Sequence, residues 1–347
     1  MRKIGKNSIE FENVFLRATS TVAGPKESKG PLGKYFDVHF NDSHCGQENW
    51  EQAEIKMQQM AIDLVLEKAG LNIKNIDAMV GGDLNNQLAI TNYALRAYDA
   101  PYLGVFAACS TCTESLIVAS NLIDAGYGEN VVTITSSHNS TSERQFRYPT
   151  EYGGQKPNSM TSTTTGAGSC IVSSVPSSIK IIRATLGKIV DPELSDSQDM
   201  GRTMAPAAAS TLVTHLQDFN ITTDEYDLIL TGDLSKYGSD IFEKIVNNVG
   251  IMRTDNFNDA GLMLYDIEKQ HVFAGGSGCG CVTLVTLSYV INALRIGIYH
   301  KVLIIATGAL MNPIMVAQNE TIPAIAHSIP ANPQSHPHFV TAKRRYG

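Results

Sequence analysis

A short stretch of the first half of the chain, 76-IDAMVGGDL-84, returns in the second half as 226-YDLILTGDL-234. Both copies have an aspartate, an apolar run typical of a buried strand, and then Gly-Asp-Leu. An amphipathic helix pattern precedes each copy, through Met57, Met60, Ala61, Leu64 and Val65 before the first, with Gly70 as its predicted end, and through Leu212, Val213 and Leu216 before the second. The chain is therefore predicted to contain an internal duplication.

A second pair of segments extends the duplication. The segments 105-VFAACSTCTESLIVASNLIDAGYGENVVTITSS-137 and 272-VFAGGSGCGCVTLVTLSYVINALRIGIYHKVLIIATG-308 each read as strand, small-residue turn, apolar helix ending near Gly126 or Gly297, and strand. Alternation of helices with nearly continuous apolar strands is typical of α/β architecture with mostly parallel sheets. We expect two pseudo-twofold halves, residues 1–180 and 181–347, with a cationic loop at about 138–160 inserted in the first.

Composition narrows the function classes. The chain has 347 residues, 43% hydrophobic and 18% charged, which fits a globular protein with a sizeable core. Its net charge of −7 argues against broad nucleic-acid binding. We expect no transmembrane segment, because no apolar run reaches about 18 residues. We expect no signal peptide either, because the basic N-terminus lacks an apolar core.

The six cysteines fit no secreted disulfide framework, so a reducing compartment is expected. A split zinc site from Cys109, Cys112, Cys279 and Cys281 is one alternative, although C-x-C spacing suits zinc poorly. A redox pair in 109-CSTC-112 is another. The glycines of 275–280 lack the acidic partner of a dinucleotide fingerprint. We therefore predict no metal and no cofactor.

The turn at Cys109 is predicted to open a helix. The segment 110-STCTE-114 contains a capping box, in which Thr111 would accept from the N–H of Glu114. Donors and the dipole at a helix N-terminus would lower the pKa of the Cys109 thiol, as in an activated nucleophile. The same physics describes an anion site, and a buried cysteine packed as a small apolar residue is a third interpretation. The local sequence leaves all three open.

The duplication, with a cysteine at the mouth of the first long helix, resembles the thiolase superfamily. That resemblance implies a five-layer αβαβα sandwich, a homodimer, and Cys109 at the nucleophile position. Five strings are more specific and resemble a stage V sporulation protein family of endospore-forming bacteria: 24-GPKESKGPLG-33, 136-SSHNSTSERQFRYPTEYGGQKP-157, 204-MAPAAA-209, 225-EYDLILTGDLSKYGS-239 and 321-TIPAIAH-327.

The closer resemblance implies a function rather than a reaction. It implies binding of dipicolinic acid, or of its calcium chelate, for uptake into the forespore. It also implies membrane-embedded partners encoded in the same operon, and a location on the cytoplasmic side or at the periphery of the inner forespore membrane.

The enzyme pattern of the superfamily is incomplete in this sequence. Thiolase-type condensation needs His, Asn or Cys partners for the nucleophile. Gly232 and Asp233 stand at the first such position and Ser277 at the second, and 308-GALMNP-313 replaces the glycine-rich C-terminal loop. His327 is the remaining candidate. We therefore expect no condensing activity, with an active acyltransferase or condensing enzyme using Cys109 as the alternative.

A ligand site for a small dianion is predicted in the same region. The segment 138-HNSTSERQFRYPTEYGGQK-156 follows a strand, and ligands of α/β sheets lie beyond the carboxyl ends of strands. Cations and aromatic faces suit a planar dicarboxylate. The alternative is an exposed insertion whose arginines pair with Glu143 and Glu151. The segment contributes the candidates His138, Arg144, Arg147, Tyr148, Tyr152 and Lys156.

Polar residues in the matched turns complete the candidate set. Asp83, Asn86 and Asp233 are predicted to cap helices, to pair with the arginines, or to share a calcium ion. The predicted ligand-binding residues are thus His138, Arg144, Arg147, Tyr148, Lys156, Asp83, Asn86, Asp233, Ser277 and His327, beside Cys109 as a nucleophile or its remnant.

Overall fold

The computed structural model describes residues 1–147, 156–252 and 255–334. The strands in these ranges are β1 (Arg2–Ile4), β2 (Ser8–Glu10), β3 (Phe15–Ala23), β4 (Val38–His39), β5 (Ala78–Gly82), β6 (Tyr102–Gly104), β7 (Asn130–Ser137), β8 (Ser162–Thr163), β9 (Gly166–Ser173), β10 (Ile179–Ile181), β11 (Arg183–Thr185), β12 (Leu228–Thr231), β13 (Phe257–Asp259), β14 (Gly276–Ser277), β15 (Val302–Ala309) and β16 (Ala324–Pro333).

The helices connect and cover these strands. They are α1 (Trp50–Ala69), α2 (Ala89–Leu95), α3 (Thr111–Asp124), α4 (Asn139–Phe146), α5 (Met200–Phe219), α6 (Ser235–Asn248), α7 (Ala260–Leu264), α8 (Cys279–Val285), α9 (Ile291–Arg295) and α10 (Pro313–Ala317). A π turn at Thr286–Val290 joins α8 to α9.

The sheet repeats one pattern in both halves of the chain. In the first half β5 lies between β6 and β7 and is parallel to both, and β9 pairs antiparallel with β7 and with β3. In the second half β12 lies between β13 and β15, again parallel to both, and β16 runs antiparallel to β15. The matched segments of the sequence thus occupy matched places, which confirms the duplication.

One short strand connects the two patterns. β10 pairs antiparallel with β3 of the first half and with β16 of the second. The strands of both halves therefore belong to one continuous hydrogen-bonded sheet. The predicted division at residues 180 and 181 falls within β10 and stays a prediction.

Alternating strand residues bury both faces of the sheet. In β5, Ala78 and Val80 pack into a core that contains α3 and α8, whereas Met79 packs against α1 on the other side. In the second half, Ile229 of β12 faces a separate core formed with α5. The continuous sheet thus forms two layers, one from each half of the chain, with the central helices α3 and α8 between them. Further helices, such as α1 and α5, cover the outer faces, which gives the predicted five-layer α/β arrangement.

The predicted helix ends agree with the structure. Gly70 follows α1 with φ 66°, and Gly126 and Gly297 follow α3 and α9 with φ 76° and 77°. Glycine adopts this left-handed conformation without a Cβ penalty, so these glycines end the helices where the sequence indicated.

Two local predictions are wrong. The strand predicted at 105–108 lies earlier, at β6, where Leu103 pairs with Val80. The predicted loop at about 138–160 contains α4, because His138 caps a helix by accepting from the N–H of Ser140 at 3.2 Å.

Among the described residues, no helix is both long and apolar enough to cross a bilayer.

Candidate functional site

The turn that carries Cys109 is strained, and hydrogen bonds to strands of the second half of the chain hold it in place. Ala108 has φ 50°, an uncommon conformation for a residue with a Cβ. Ser110 Oγ donates to the carbonyl of Ala306 in β15 at 2.9 Å, and the N–H of His327 in β16 donates to the same Oγ at 3.3 Å. Contacts with both strands thus fix the turn and place Cys109 directly before α3.

The predicted capping box is absent. Thr111 Oγ1 donates to the carbonyl of Ala108 at 2.6 Å and accepts from the N–H of Ala107 at 3.1 Å. The N–H of Glu114 instead donates to the backbone carbonyl of Ser110 at 3.1 Å, as in an ordinary helical turn. The hydroxyl expected to cap the helix closes the preceding turn, because that strained turn needs its own hydrogen bonds.

Asp233 lies beside the Cys109 thiol. It follows β12 with φ 64°, is fully buried, and accepts from the N–H of Gly278 through Oδ2 at 2.9 Å. Its Oδ1 has no hydrogen-bond partner among the described residues, and its charge raises the pKa of the Cys109 and Cys281 thiols. Gly278 has φ 97°, and a Cβ there would lie 2.6 Å from Ser137 Oγ, so only glycine brings this N–H so close.

The pKa values of both groups are raised, which makes the expected lowering of the Cys109 pKa wrong. Burial raises the pKa of the Cys109 thiol well above its ordinary value, and Asp233 raises it further, against smaller effects of the Gly278 N–H and Arg147. Burial and the nearby charge of Asp259 raise the pKa of Asp233 as well. A protonated thiol is a poor nucleophile.

A cavity of about 50 Å³ opens in front of Cys109. This volume is below that of typical small-molecule sites, so a bound ligand would require side chains of the wall to move. Its wall is mostly apolar, and Arg147 is the one charged side chain among the described residues of the wall. The lining residues are Leu84, Phe106, Ala108, Cys109, Ser142, Phe146, Arg147, Thr163, Met200, Met204, Ser277, Gly278, Ala309 and Met311.

Arg147 presents a cation to this cavity. Its Nη1 donates to Glu143 Oε1 at 2.7 Å and to the carbonyl of Thr161 at 3.3 Å. Its Nε is buried and has no hydrogen-bond partner among the described residues. Glu143 Oε2 also accepts from Lys156 Nζ at 2.8 Å. Two cations therefore share one carboxylate at the edge of the cavity.

Three predicted cationic residues lie elsewhere. Arg144 pairs with Glu51 and stacks on Trp50 at 5.5 Å, on the exposed side of α4. Lys156 reaches Glu143 but does not line the cavity. His138 is fully buried, and its Nε2 bonds with the carbonyl of Ser43 at 2.7 Å. Burial lowers the pKa of His138, so this residue is a neutral helix cap.

Asp83 belongs to a buried hydrogen-bond network with Asn85 and Thr91, and its predicted sharing of an ion with Asp233 stays a prediction. It accepts from Thr91 Oγ1 at 2.7 Å and from the N–H of Asn85 at 2.8 Å. Glu54 lies in the same network and accepts from Ser136 Oγ at 2.7 Å. Burial, followed by the charge of Asp83, raises the pKa of Glu54 to about 8. Among the described residues, no group of three or more His, Cys, Asp or Glu is arranged to hold a metal ion.

Two further predicted residues, Asn86 and His327, also lie outside the cavity wall. Asn86 is exposed, and its N–H donates to Gln145 Oε1 at 2.9 Å. His327 Nδ1 accepts from the N–H of Gly187 at 3.0 Å, and burial lowers its pKa to about 4. Tyr148 and Tyr152 lie outside the described residues.

The structure thus brings together Cys109, Arg147, Asp233 and Ser277 from the predicted set. Sequence reasoning missed most of the apolar wall, above all Phe106, Phe146 and the methionines. Met200 and Met204 stand four residues apart on α5, a spacing that places both on one helix face. That spacing was the available signal, but it equally describes a helix that packs on a core.

Comparison with known proteins gives family and fold. A family model described as "Stage V sporulation protein AD" matches residues 5–332. The stage V sporulation protein AD of Bacillus subtilis (strain 168) is 47% identical over 330 residues, which cover 95% of this chain and 97% of that protein.

Two solved structures share the fold at low sequence identity. Cerulenin-bound OleA of Xanthomonas campestris has a TM-score of 0.62 at 10% identity, covering 92% of this chain and 98% of that one. FabH, the 3-oxoacyl-(acyl carrier protein) synthase III of Xanthomonas oryzae pv. oryzae, has a TM-score of 0.59 at 12% identity, covering 94% and 100%. These similarities show a thiolase-like fold.

Proposed function

Because the chain belongs to the stage V sporulation protein AD family, we propose that it binds dipicolinic acid for uptake into the forespore, as the free acid or its calcium chelate. The observation that carries this proposal is the buried Nε of Arg147, which has no partner among the described residues, at the wall of an otherwise apolar cavity. A buried guanidinium donor without a partner is costly, and a ligand carboxylate would satisfy it.

The cavity has the chemistry that a planar pyridine dicarboxylate requires. Phe106 and Phe146 offer faces to an aromatic ring, and Met200, Met204 and Met311 adapt to its edges. The hydroxyls of Thr163 and Ser277 are further donors in the wall. The proposed pose places one carboxylate on Arg147 and the ring between the aromatic and methionine side chains.

We propose further that the site lacks condensing activity. A condensing nucleophile must be a thiolate, whereas burial and Asp233 keep the Cys109 thiol protonated. In its ionised form, Asp233 would also repel the oxyanion of a thioester intermediate, where the enzymes of the superfamily need a donor.

Calorimetry tests the binding proposal. Dipicolinate is titrated into the protein beside isophthalate, which places two carboxylates identically on a benzene ring, and beside phthalate, which places them on adjacent carbons. We expect one saturable site for dipicolinate and weaker binding of phthalate. The difference in Kd between dipicolinate and isophthalate measures how much the ring nitrogen contributes to binding. Absence of saturable heat with dipicolinate, with and without calcium, would overturn the proposal.

An acyltransferase that uses Cys109 is the second candidate function. It is favoured by the position of the thiol, directly before α3 and facing the cavity. Intact-mass measurement after incubation with acyl-CoA compounds decides the point. An acyl adduct that is lost in Cys109→Ala supports this function, and an unmodified mass over a range of chain lengths contradicts it.

The proposal includes a homodimer. β6 lies at an edge of the sheet, and Leu103 within it and Tyr93 on α2 are 47% and 55% exposed. An open edge with apolar side chains favours pairing with a second copy. Analytical ultracentrifugation of the wild type and of Leu103→Lys tests the proposed dimer. We expect the wild type to be a dimer and Leu103→Lys to dissociate at higher protein concentration. A monomeric wild type would exclude the dimer.

Membrane-embedded proteins of the same operon complete the proposed assembly, at the periphery of the inner forespore membrane. Fractionation of sporulating cells tests this part. We expect the protein with membranes when those partners are produced and in the soluble fraction when they are deleted. Unchanged membrane recovery after the deletion would contradict the proposed partners.

A further inference from the structure

We infer that Glu143 determines the charge selectivity of the cavity by lowering the positive potential that Arg147 presents to a ligand. This inference rests on the proposed function of the site as an anion-binding cavity. It assigns a specific task to a residue that does not itself line the cavity wall.

The carboxylate of Glu143 is fixed between two cations. Glu143 is 6% exposed, and each of its oxygens has a different partner, with Oε1 at 2.7 Å from Arg147 Nη1 and Oε2 at 2.8 Å from Lys156 Nζ. The Lys156 side chain is 39% exposed and that of Arg147 is 12% exposed. Solvent therefore screens the charge of Lys156 far more than the charges of Glu143 and Arg147.

The remaining wall gives the cavity no other charge. Arg147 is the only charged lining residue among those described, and burial raises the pKa of Asp233 behind the wall, which favours the neutral form of that carboxyl group. The potential in the cavity is thus mainly that of Arg147 reduced by Glu143. One ligand carboxylate can be neutralised at the free Nε of Arg147, whereas a second carboxylate meets a potential that Glu143 has already weakened.

The chain contains a matched pair outside the cavity. Glu51 pairs with Arg144 on the exposed side of α4, one turn before Arg147. Glu51→Gln therefore removes the same charge from the same kind of ion pair without changing the cavity wall, and it is the control for Glu143→Gln. Lys156→Gln removes a cation from Glu143 and should have the effect opposite to that of Glu143→Gln.

The first experiment compares a monocarboxylate with a dicarboxylate. The Kd values of picolinate and dipicolinate are measured for the wild type and the three variants at low and high salt. We expect Glu143→Gln to increase the preference for dipicolinate by about five- to tenfold at low salt, with a smaller change at high salt. Glu51→Gln should leave the preference unchanged, and Lys156→Gln should reduce it. A preference in Glu143→Gln equal to that in Glu51→Gln would overturn the inference.

The second experiment needs no ligand. Iodoacetate and iodoacetamide alkylate the same Cys109 thiolate, so the ratio of their rates cancels the thiolate fraction and reports the cavity potential. Labelling of the Cys109 peptide is followed by mass spectrometry at mildly alkaline pH. We expect Glu143→Gln to raise the iodoacetate-to-iodoacetamide ratio and Arg147→Gln to lower it.

The two experiments separate this inference from the proposed function. If neither pyridine carboxylate binds the wild type, the proposed function fails, and the alkylation ratio alone decides the role of Glu143. If Glu143→Gln does not fold, Lys156→Gln tests the same electrostatic effect with the opposite sign. Equal alkylation ratios in the wild type, Glu143→Gln and Lys156→Gln would show that Glu143 has only a structural role.

Discussion

Asp233 lies beside the thiol of Cys109, and burial raises the pKa of both groups. Cys109 comes from the turn before α3 in the first repeat, and Asp233 comes from the turn after β12 in the second repeat, where it matches Asp83 of the first. A thiol at the start of a helix thus lies in an environment that suppresses its ionisation.

Asp233→Asn should make Cys109 more reactive. An asparagine can still accept from the N–H of Gly278, and its amide can donate to a thiolate, whereas the carboxylate repels one. We expect the pH–rate profile of iodoacetamide labelling at Cys109 to shift to lower pH. Asp266→Asn, at an exposed aspartate, serves as the control. Coincident profiles for Asp233→Asn and the wild type would show that Asp233 does not control the thiol.

Arg147→Gln and Arg144→Gln should differ in ligand binding, although the sequence favoured both arginines. Loss of a charged hydrogen-bond partner at Arg147 is expected to weaken dipicolinate binding by about 1.5–3 kcal/mol. Arg144 pairs with Glu51 away from the cavity, so its loss should leave binding nearly unchanged. Calorimetry on the two variants checks this, and equal losses would contradict the assigned position of Arg147.

Glu54→Gln should flatten the dependence of stability on pH. The pKa of Glu54 is raised to about 8 in the folded protein, against about 4.3 in an unfolded chain. The folded state therefore keeps a proton that the unfolded state releases, and stability is lost as the pH rises between these values.

Urea unfolding at about pH 6 and pH 9 measures this effect. Relative to Glu54→Gln, the wild type should lose about 3 kcal/mol of unfolding free energy over this interval. An identical pH dependence in the two proteins would place the ionisation of Glu54 outside the titrated range.

His327→Leu should lower stability without affecting the ligand. The partly buried N–H of Gly187 would lose its acceptor, at a cost of about 0.5–1.5 kcal/mol. Because His327 does not line the cavity, the Kd for dipicolinate should change by less than about twofold. His327→Asn keeps an acceptor near the position of Nδ1 and should recover part of the stability. A large loss of dipicolinate affinity in a variant of normal stability would show that His327 contributes to the binding site.

The fold could be predicted because the sequence repeats its burial pattern. The strands β5 and β12 are buried on both faces, which gives the continuous apolar runs of 76–84 and 226–234. Gly126 and Gly297 end the central helices through local backbone conformation alone. Such signals depend only on residues that are close together in the chain, so a single sequence is enough to detect them.

The site was harder to predict because its contacts are distant in sequence. Arg144 and Arg147 look equivalent in a polar segment, yet Arg147 is the helix C-cap, with φ −134° and ψ 28°, and it leaves the helix toward the cavity. The capping box failed for a different reason, since the Thr111 hydroxyl donates to the carbonyl of Ala108 in the strained turn before α3. No local pattern reports which face of α4 meets the second half of the chain.

The strand β10 has a consequence for how a ligand enters. Cys109 and Arg147 come from the first half and Met200 and Ser277 from the second, so a cavity at such a junction could in principle close by hinge rotation. β10 is hydrogen bonded to β3 and to β16, and a rotation there would break the sheet. Entry and release are therefore expected to depend on rotamer changes of Phe106 and Phe146 in the cavity wall, which are faster than domain closure.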